Sequence, residues 1–284
     1  MPSHPYRVVA EGIGFTEGPV WTQDGRLLVT SISQGVVYEL GAGEPRVFAE
    51  TGGGPNGLAE GRGGAFYVTQ NGGMWGVGER KETLAAAGIQ TIERGGGVRY
   101  LAEGLGAPND LCFGPDSRLY FTDPRGPATL GDWQPGRVYA MAGGGAPELL
   151  AEGPRYTNGI GFGSDTSALY VAETFGQRIL AYPLRNGKMD EPREFCRLDP
   201  GFPDGFCFDE NGLLYVAATA AMQVQVFDRD GRIVDRLPCG ENSLVTNCCF
   251  GGPDGTTLFV TDSRNERVLA FDLDVRGLPL FPFR

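Results

Sequence analysis

The fold is decided by the stretch Pro203-Asp204-Gly205-Phe206-Cys207-Phe208-Asp209-Glu210-Asn211-Gly212-Leu213-Leu214-Tyr215-Val216-Ala217. Two runs with the composition of β-strands flank the pair Asn211-Gly212. This pair is the strongest short signal for a β-hairpin turn. An acidic residue, Asp204, stands just before the first run. The stretch therefore predicts a hairpin with a carboxylate at its start.

The same order of polar residue, strand, turn and second strand occurs five more times along the chain. The six copies begin at Glu17, Asn56, Asn109, Asn158, Asp204 and Thr246, in steps of 39, 53, 49, 46 and 42 residues. A period of about 40–50 residues with several short strands per repeat is typical of propeller blades. The six copies occupy almost the whole chain. The sequence therefore predicts an all-β fold, a six-bladed β-propeller of four-stranded antiparallel blades, as a single domain over residues 1–284.

One strand and two longer segments stand outside this repeat. The lone strand Tyr6-Arg7-Val8-Val9-Ala10 precedes the first copy, and we expect it to complete the last blade by pairing near Arg267–Phe271. The segments 71–97 and 123–136 interrupt the period and carry Trp75 and Trp133. Long loops in compact folds are usually functional or disordered. We expect these two to form a lid over one end of the channel; the alternative is that both tryptophans only pack the loops onto the scaffold.

Composition and charge exclude several classes of function. The formal net charge of −11 argues against a nucleic-acid surface and against attachment to anionic lipid. The beginning of the sequence has no apolar run typical of a signal peptide, and no stretch approaches the ~20 apolar residues of a membrane span. The six cysteines lack a zinc-type spacing. We expect a reduced, cytoplasmic protein with no nucleic-acid or membrane partner.

The residues that begin the six repeats predict a metal site. The first strand of each propeller blade lines the central channel, so these residues should form a ring around the axis. The ring contains two carboxylates, Glu17 and Asp204, with no lysine or arginine. Such carboxylates raise one another's pKa, and a bound hard cation removes this cost. Carboxylate and amide oxygens suit calcium, magnesium or manganese. The alternative is that these residues are ordinary turn formers.

Five motifs carry a resemblance to a known family. They are Phe15-Thr16-Glu17-Gly18-Pro19-Val20-Trp21, Pro108-Asn109-Asp110, Thr157-Asn158-Gly159, Pro203-Asp204-Gly205 and Cys248-Cys249-Phe250-Gly251-Gly252. With these motifs the chain resembles, over essentially its full length, the family of senescence marker protein 30, gluconolactonases and related sugar-lactone hydrolases. It is more distantly similar to organophosphate-hydrolysing propellers.

The resemblance implies a site and a reaction. The family's metal ligands, a Glu, an Asn and an Asp, fall on Glu17, Asn158 and Asp204, and a further Asn at the metal or substrate falls on Asn109. The implied cofactor is one divalent cation, calcium first, with magnesium, manganese or zinc as alternatives. In such hydrolases the cation polarises the lactone carbonyl and lowers the pKa of a bound water, and the carboxylate matching Asp204 is the base or nucleophile.

One position departs from the family pattern. Gluconolactonase-like members have an arginine two residues before the Asn, and here that residue is Ala107. We therefore expect a lactone less polar than a simple sugar lactone, or differently charged. The residues expected to bind it are Asn56, Asn109, Asp110, Trp75, Trp133 and Phe175.

The histidine content narrows the mechanism further. The only histidine is His4, so a Ser-His-Asp triad and a Cys-His dyad are excluded. The leading hypothesis is a metal-dependent hydrolase that opens a lactone ring. Hydrolysis of phosphotriesters at the same oxygen site is one alternative. A non-catalytic propeller that binds calcium or a protein partner is the other.

Overall fold

The described residues form six antiparallel sheets that follow one another along the chain. The computed structural model describes residues 4–73, 85–126, 131–185 and 187–284. The sheets are arranged as the blades of a six-bladed propeller, so the predicted fold class is confirmed. The first strand of each sheet lies innermost and the chain then proceeds outward.

The strands of the first three blades have the following bounds. Blade I contains β2 (Thr16–Trp21), β3 (Leu27–Ser31), β4 (Val36–Leu40) and β5 (Arg46–Glu50). Blade II contains β6 (Pro55–Glu60), β7 (Phe66–Gln70), β8 (Gly88–Ile92) and β9 (Val98–Glu103). Blade III contains β10 (Leu111–Phe113), β11 (Leu119–Asp123), β12 (Pro135–Met141) and β13 (Glu148–Arg155).

The other three blades follow the same plan. Blade IV contains β14 (Thr157–Phe162), β15 (Ala168–Glu173), β16 (Arg178–Arg185), the short β17 (Lys188–Met189) and β18 (Arg193–Arg197). Blade V contains β19 (Phe202–Phe208), β20 (Leu214–Thr219), β21 (Gln223–Phe227) and β22 (Ile233–Pro238). Blade VI contains β23 (Val245–Gly251), β24 (Thr257–Asp262), β25 (Arg267–Asp272) and β1 (Tyr6–Ala10). Short 3-10 turns occur at Arg62–Gly64 and Thr174–Gly176.

The last blade is closed by the beginning of the chain, as the sequence predicts. β1 pairs antiparallel with β25, with Tyr6 opposite Phe271 and Arg7 opposite Ala270. The rings of Tyr6 and Phe271 lie 5.6 Å apart, and the Arg7 guanidinium pairs with Asp272 at 2.8 Å. Residues far apart in the sequence thus complete one sheet and close the ring of blades.

The core lies between neighbouring blades, where an aromatic pair repeats. The last aromatic residue of an inner strand packs against an aromatic residue on the second strand of the preceding blade. The pairs are Trp21–Phe259 (5.7 Å), Phe113–Tyr67 (5.1 Å), Phe162–Tyr120 (5.2 Å), Phe208–Tyr170 (5.0 Å) and Phe250–Tyr215 (5.1 Å). The second strands are buried almost throughout because a blade covers each of their faces. These contacts hold the blades at fixed positions around the axis.

The two segments expected to form a lid are only partly described. In the first, Gly88–Ile92 is the third strand of blade II, while residues 74–84, including Trp75, lie outside the described residues. In the second, Pro135–Met141 is the third strand of blade III, and residues 127–130 lie outside the described part. The lid therefore stays a prediction. Across the described ranges, no helix has the length and apolar character needed to cross a membrane.

Candidate active site

The residues that begin the repeats all lie at the entrance of the inner strands. Glu17, Asn56, Asn158, Asp204 and Thr246 belong to β2, β6, β14, β19 and β23, and Asn109 comes two residues before β10. Each of these six side chains is less than a tenth exposed. The predicted ring residues are therefore buried at the same level of successive blades.

Threonine side chains on neighbouring strands fix the height of this ring. The Thr30 hydroxyl donates to the carbonyl of Asn56 at 2.6 Å, and that of Thr122 donates to the carbonyl of Asn158 at 2.7 Å. Thr69 makes the same bond to the carbonyl of Asn109. Because each hydroxyl comes from the preceding blade, the bonds hold the ring residues of adjacent blades in register.

Thr246 has a structural role at this level. Its hydroxyl donates to the carbonyl of Thr16 at 2.9 Å and also lies 3.0 Å from the Ser263 hydroxyl. The oxygen that blade VI contributes to the channel comes instead from the next residue, Asn247. The repeat alignment of the sequence did not single out Asn247, although four other copies have glycine at this position.

Asp110 and Asn247 form a second level, since each comes one residue after a ring residue, Asn109 or Thr246. The Asn247 amide donates to Glu17 Oε2 at 3.2 Å and to Asp110 Oδ2 at 3.4 Å. The corresponding residue in blade V is Gly205, where a Cβ would lie 2.1 Å from the Asn247 side chain. Only glycine leaves room there for the amide, so Gly205 is needed for the approach of Asn247 to the two carboxylates.

Three buried carboxylates at these two levels, Glu17, Asp110 and Asp204, interact electrostatically. Burial, together with the neighbouring Asp110 charge, raises the pKa of Glu17 to about 8. Burial also raises the pKa of Asp110 to about 6. Burial and the charges of Glu17 and Asp110 hold the pKa of Asp204 well above its usual range, although a hydrogen bond from Asn158 opposes this shift. These directions have a common cause: removal of water and mutual repulsion disfavour the charged forms.

The donor set fits a hard divalent cation. No basic side chain of the described ranges forms an ion pair with these three carboxylates. The Asn56 Oδ1 atom is buried and finds no partner among the described atoms. Within that part of the chain no three His, Cys, Asp or Glu side chains are grouped to hold a metal ion by themselves. Amide oxygens, as from Asn109 and Asn158, would thus complete the coordination, which is the ligand chemistry of calcium and magnesium.

Two of the aromatic residues expected to bind substrate, Trp133 and Phe175, lie at the rim beyond the ring. Trp133 is 36% exposed, and the Arg155 guanidinium lies 5.9 Å from its ring centre. Phe175 is half-buried and packs at 5.3 Å against Tyr156. Burial, with the charges of Asp204 and Glu17, raises the pKa of Tyr156, and its φ of 66° is rare for an aromatic residue. The sequence analysis missed Tyr156, which lies between the rim and the carboxylates.

The loop with Ala107 in place of arginine is held by Asp123. Its carboxylate accepts the N–H groups of Gly106, Ala107 and Arg125, each at 2.8 Å. The same device recurs in blade IV, where Glu173 accepts the N–H of Arg155 at 2.8 Å. Acidic residues at the end of the second strands therefore hold the loops from which the ring residues emerge.

A family model describes this chain. The model of the SMP-30/gluconolactonase/LRE-like region matches residues 15–278. The chain belongs to this family. Among curated relatives, the gluconolactonase of Zymomonas mobilis subsp. mobilis is 27% identical over 300 aligned positions, covering 93% of this chain and 80% of that protein. The pentonolactonase of Haloferax volcanii is 28% identical over 270 positions, covering 92% of this chain and 85% of its own length.

A solved structure supports the fold independently. The calcium-binding protein regucalcin of Agrobacterium tumefaciens superposes with a TM-score of 0.82 at 20% identity, covering 99% of this chain and 98% of that one. At this identity the likeness supports the fold alone. The SMP-30/gluconolactonase resemblance predicted from the five motifs is confirmed by the family match, which includes all of them.

Proposed function

We propose that this member of the SMP-30/gluconolactonase family is a divalent-metal-dependent lactonase whose substrate is less polar than a simple sugar lactone. The predicted enzyme class, a hydrolase acting on a cyclic ester, is confirmed because both relatives named above are lactonases of the same family. The metal, the site residues and the substrate are the proposal. Its main support is the group of three buried carboxylates, Glu17, Asp110 and Asp204, that no basic residue of the described chain neutralises.

The residues that would hold the cation are Glu17, Asn109, Asn158 and Asp204. When bound, a divalent cation polarises the ester carbonyl and lowers the pKa of an attacking water. Asp204 would take the proton from that water as its oxygen bonds to the carbonyl carbon. The ring C–O bond would then break, the ring oxygen would take up the proton held by Asp204, and a hydroxy acid would leave.

The polarity expected of the substrate follows from the rim. Ala107 is buried, and its N–H is already bonded to Asp123, so this loop offers no cation for sugar hydroxyls. The described rim presents Trp133 and Phe175 in addition to the Arg155 guanidinium. An aliphatic or aryl-substituted lactone matches this surface better than a polyhydroxylated one. Asn56 and Asp110 keep their proposed role as polar contacts of the substrate.

The test is hydrolysis of sugar, aliphatic and aryl-substituted lactones by chelator-treated protein, with and without calcium, magnesium, manganese or zinc. We expect turnover only with an added cation. Asp204→Ala and Glu17→Gln should lose turnover while their circular dichroism spectra show that the fold is retained. Asp254→Asn, which alters an exposed turn carboxylate, is the matched control. Retained turnover in both site variants would exclude this site. Metal-dependent hydrolysis of a phosphotriester without lactone turnover would favour the alternative reaction, and metal binding without either activity would favour a calcium-binding protein.

A further inference from the structure

A chamber of about 250 Å³ lies in the central channel beyond the ring. The inner strands of all six blades contribute to its wall, for example through Val20, Leu58, Phe113, Ile160, Phe206 and Cys248. Asp110 and Asn247 form part of the lining, but Glu17, Asn109, Asn158 and Asp204 do not. The chamber therefore shares one wall with the proposed metal site and is otherwise separate from it.

The C-terminal segment covers the far end of this chamber. The Leu278 N–H donates to the carbonyl of Phe208 at 2.9 Å in blade V. The Arg284 guanidinium donates to the carbonyl of Gly163 at 3.0 Å in blade IV, and Phe281 packs edge-on against Phe162 at 6.3 Å. Residues 278–284 thus run from blade V to blade IV along the wall of the chamber. We call this segment the C-terminal cover.

The chemistry of the wall is mostly apolar and aromatic. At the inner end Asp110 accepts hydrogen bonds from the Leu111 N–H at 2.8 Å and from the Asn247 amide at 3.4 Å. The other charged lining residues, Glu60 and Arg284, lie where the inner strands and the C-terminal cover end. The wall offers too few hydrogen-bonding groups for a sugar, and Asp110 disfavours an anion. The Ile160 N–H also interacts with this carboxylate. A carboxylate has about four lone-pair sites, so Asp110 keeps one to accept a ligand donor.

The size of the chamber also bears on its occupant. Packed protein interiors contain few voids larger than a water molecule. An apolar cavity of about 150 Å³ stays dry and admits benzene. A larger chamber with aromatic walls accommodates a bicyclic ring of indole size.

We propose that the chamber binds a small uncharged aromatic molecule of one or two rings that carries one N–H or O–H donor. The ring lies between the inner strands, against Ile160 and Phe206, and the donor points to the Asp110 carboxylate. The C-terminal cover closes the chamber over the ligand. None of the four proposed metal ligands lines this site, which shares Asp110 with the proposed substrate contacts of the lactonase.

Calorimetric titration of the full chain with indole tests the proposal. We expect saturable binding at one site per chain. Ala59→Leu places a larger side chain at the chamber wall and should weaken indole binding at least about tenfold, because added volume in a packed space is poorly tolerated. Ala146→Leu makes the same change on an exposed turn and should leave binding unaltered. Melting temperatures establish that both variants are folded.

Two further variants locate the bound indole. Removal of residues 280–284 takes away most of the C-terminal cover and should speed the dissociation of indole. Asp204→Ala should retain indole binding, because Asp204 does not line the chamber. The proposal is overturned by absence of saturable indole binding, by equal affinity in Ala59→Leu and Ala146→Leu, or by loss of indole binding in Asp204→Ala.

Discussion

The side-chain amide of Asn247 donates to the carboxylate of Glu17 at 3.2 Å across the junction of blades VI and I. The same amide reaches Asp110, so one uncharged group connects two of the three buried carboxylates. Because the amide holds Glu17 in place, Asn247 would affect binding of the proposed cation by positioning its ligand Glu17.

We expect Asn247→Leu, which keeps the volume but removes the amide, to weaken metal binding about 10- to 100-fold, the usual effect of losing a partner of a metal ligand. Calorimetric titration with calcium measures this directly. Asn265→Ala is the matched control, since its amide bonds Asp262 at 2.8 Å away from the channel and should affect only stability. Equal calcium affinity in wild type and Asn247→Leu would contradict the role given to Asn247.

Asp123 is expected to position the loop that leads to Asn109. Asp123→Ala leaves three N–H groups without their acceptor, which costs about 1–3 kcal/mol for each buried group left unsatisfied. We therefore expect a lower unfolding midpoint in denaturant together with a fall in kcat. Asp116→Ala removes a carboxylate that bonds Arg118 at the other end of the same hairpin, and it should lower stability without changing kcat. A normal kcat in Asp123→Ala would show that the loop holds its position by other contacts.

The pH dependence of stability should include a contribution from Asp262. Burial alone would raise the pKa of this carboxyl, but hydrogen bonds from Asn265, the Leu244 N–H and Arg267 together lower it. A folded-state pKa below the unfolded value of about 3.9 stabilises the protein above that pH. The stabilisation is lost as the pH falls through the folded-state pKa.

Denaturant unfolding at about pH 7 and about pH 3 checks the Asp262 contribution. Asp262→Asn should reduce the difference in unfolding free energy between the two conditions. Asp274→Asn, which changes an exposed carboxylate in the segment after β25, provides the comparison. An unchanged pH profile in Asp262→Asn would contradict the assignment.

The aromatic pairs between blades should dominate the packing energy. Phe208→Ala removes a buried ring that lies 5.0 Å from Tyr170 of blade IV, and we expect a loss of about 3–5 kcal/mol in unfolding free energy. Phe283→Ala, on the partly exposed end of the C-terminal cover, should cost far less. Similar losses of unfolding free energy in the two variants would show that the aromatic pairs between blades do not dominate the packing energy.

The sequence predicts the parts of this protein that repeat. Strand pairs, their turns and the polar residue at each repeat start recur at a near-constant spacing, so the residues that begin the repeats, Glu17, Asn158 and Asp204 among them, could be identified from the sequence. The closing strand β1 was predicted because a lone strand before the first repeat has only the last blade to pair with.

The features that the sequence did not reveal break the repeat or depend on contacts between distant segments. Asn247 follows the aligned Thr246 by one residue, and its approach to Glu17 depends on the missing side chain at Gly205. The C-terminal cover has no counterpart in other repeats, although its apolar residues Leu278, Leu280 and Phe281 could have suggested that it packs against the propeller. Trp75 and the lid stay predictions, and so do Asn56 and Phe175 as substrate contacts.

The pairing of β1 with β25 has a consequence for the order of the chain. Since Tyr6 at the start of β1 lies opposite Phe271 near the end of β25, a flexible peptide could join these two strand ends in place of residues 273–284, and opening the chain at another hairpin would then preserve every blade. Circular permutants opened at an exposed turn such as 143–145 should therefore retain the same axial arrangement of Glu17, Asn158 and Asp204. The chemistry of the site depends on the closed circle of blades and is independent of which blade is synthesised first.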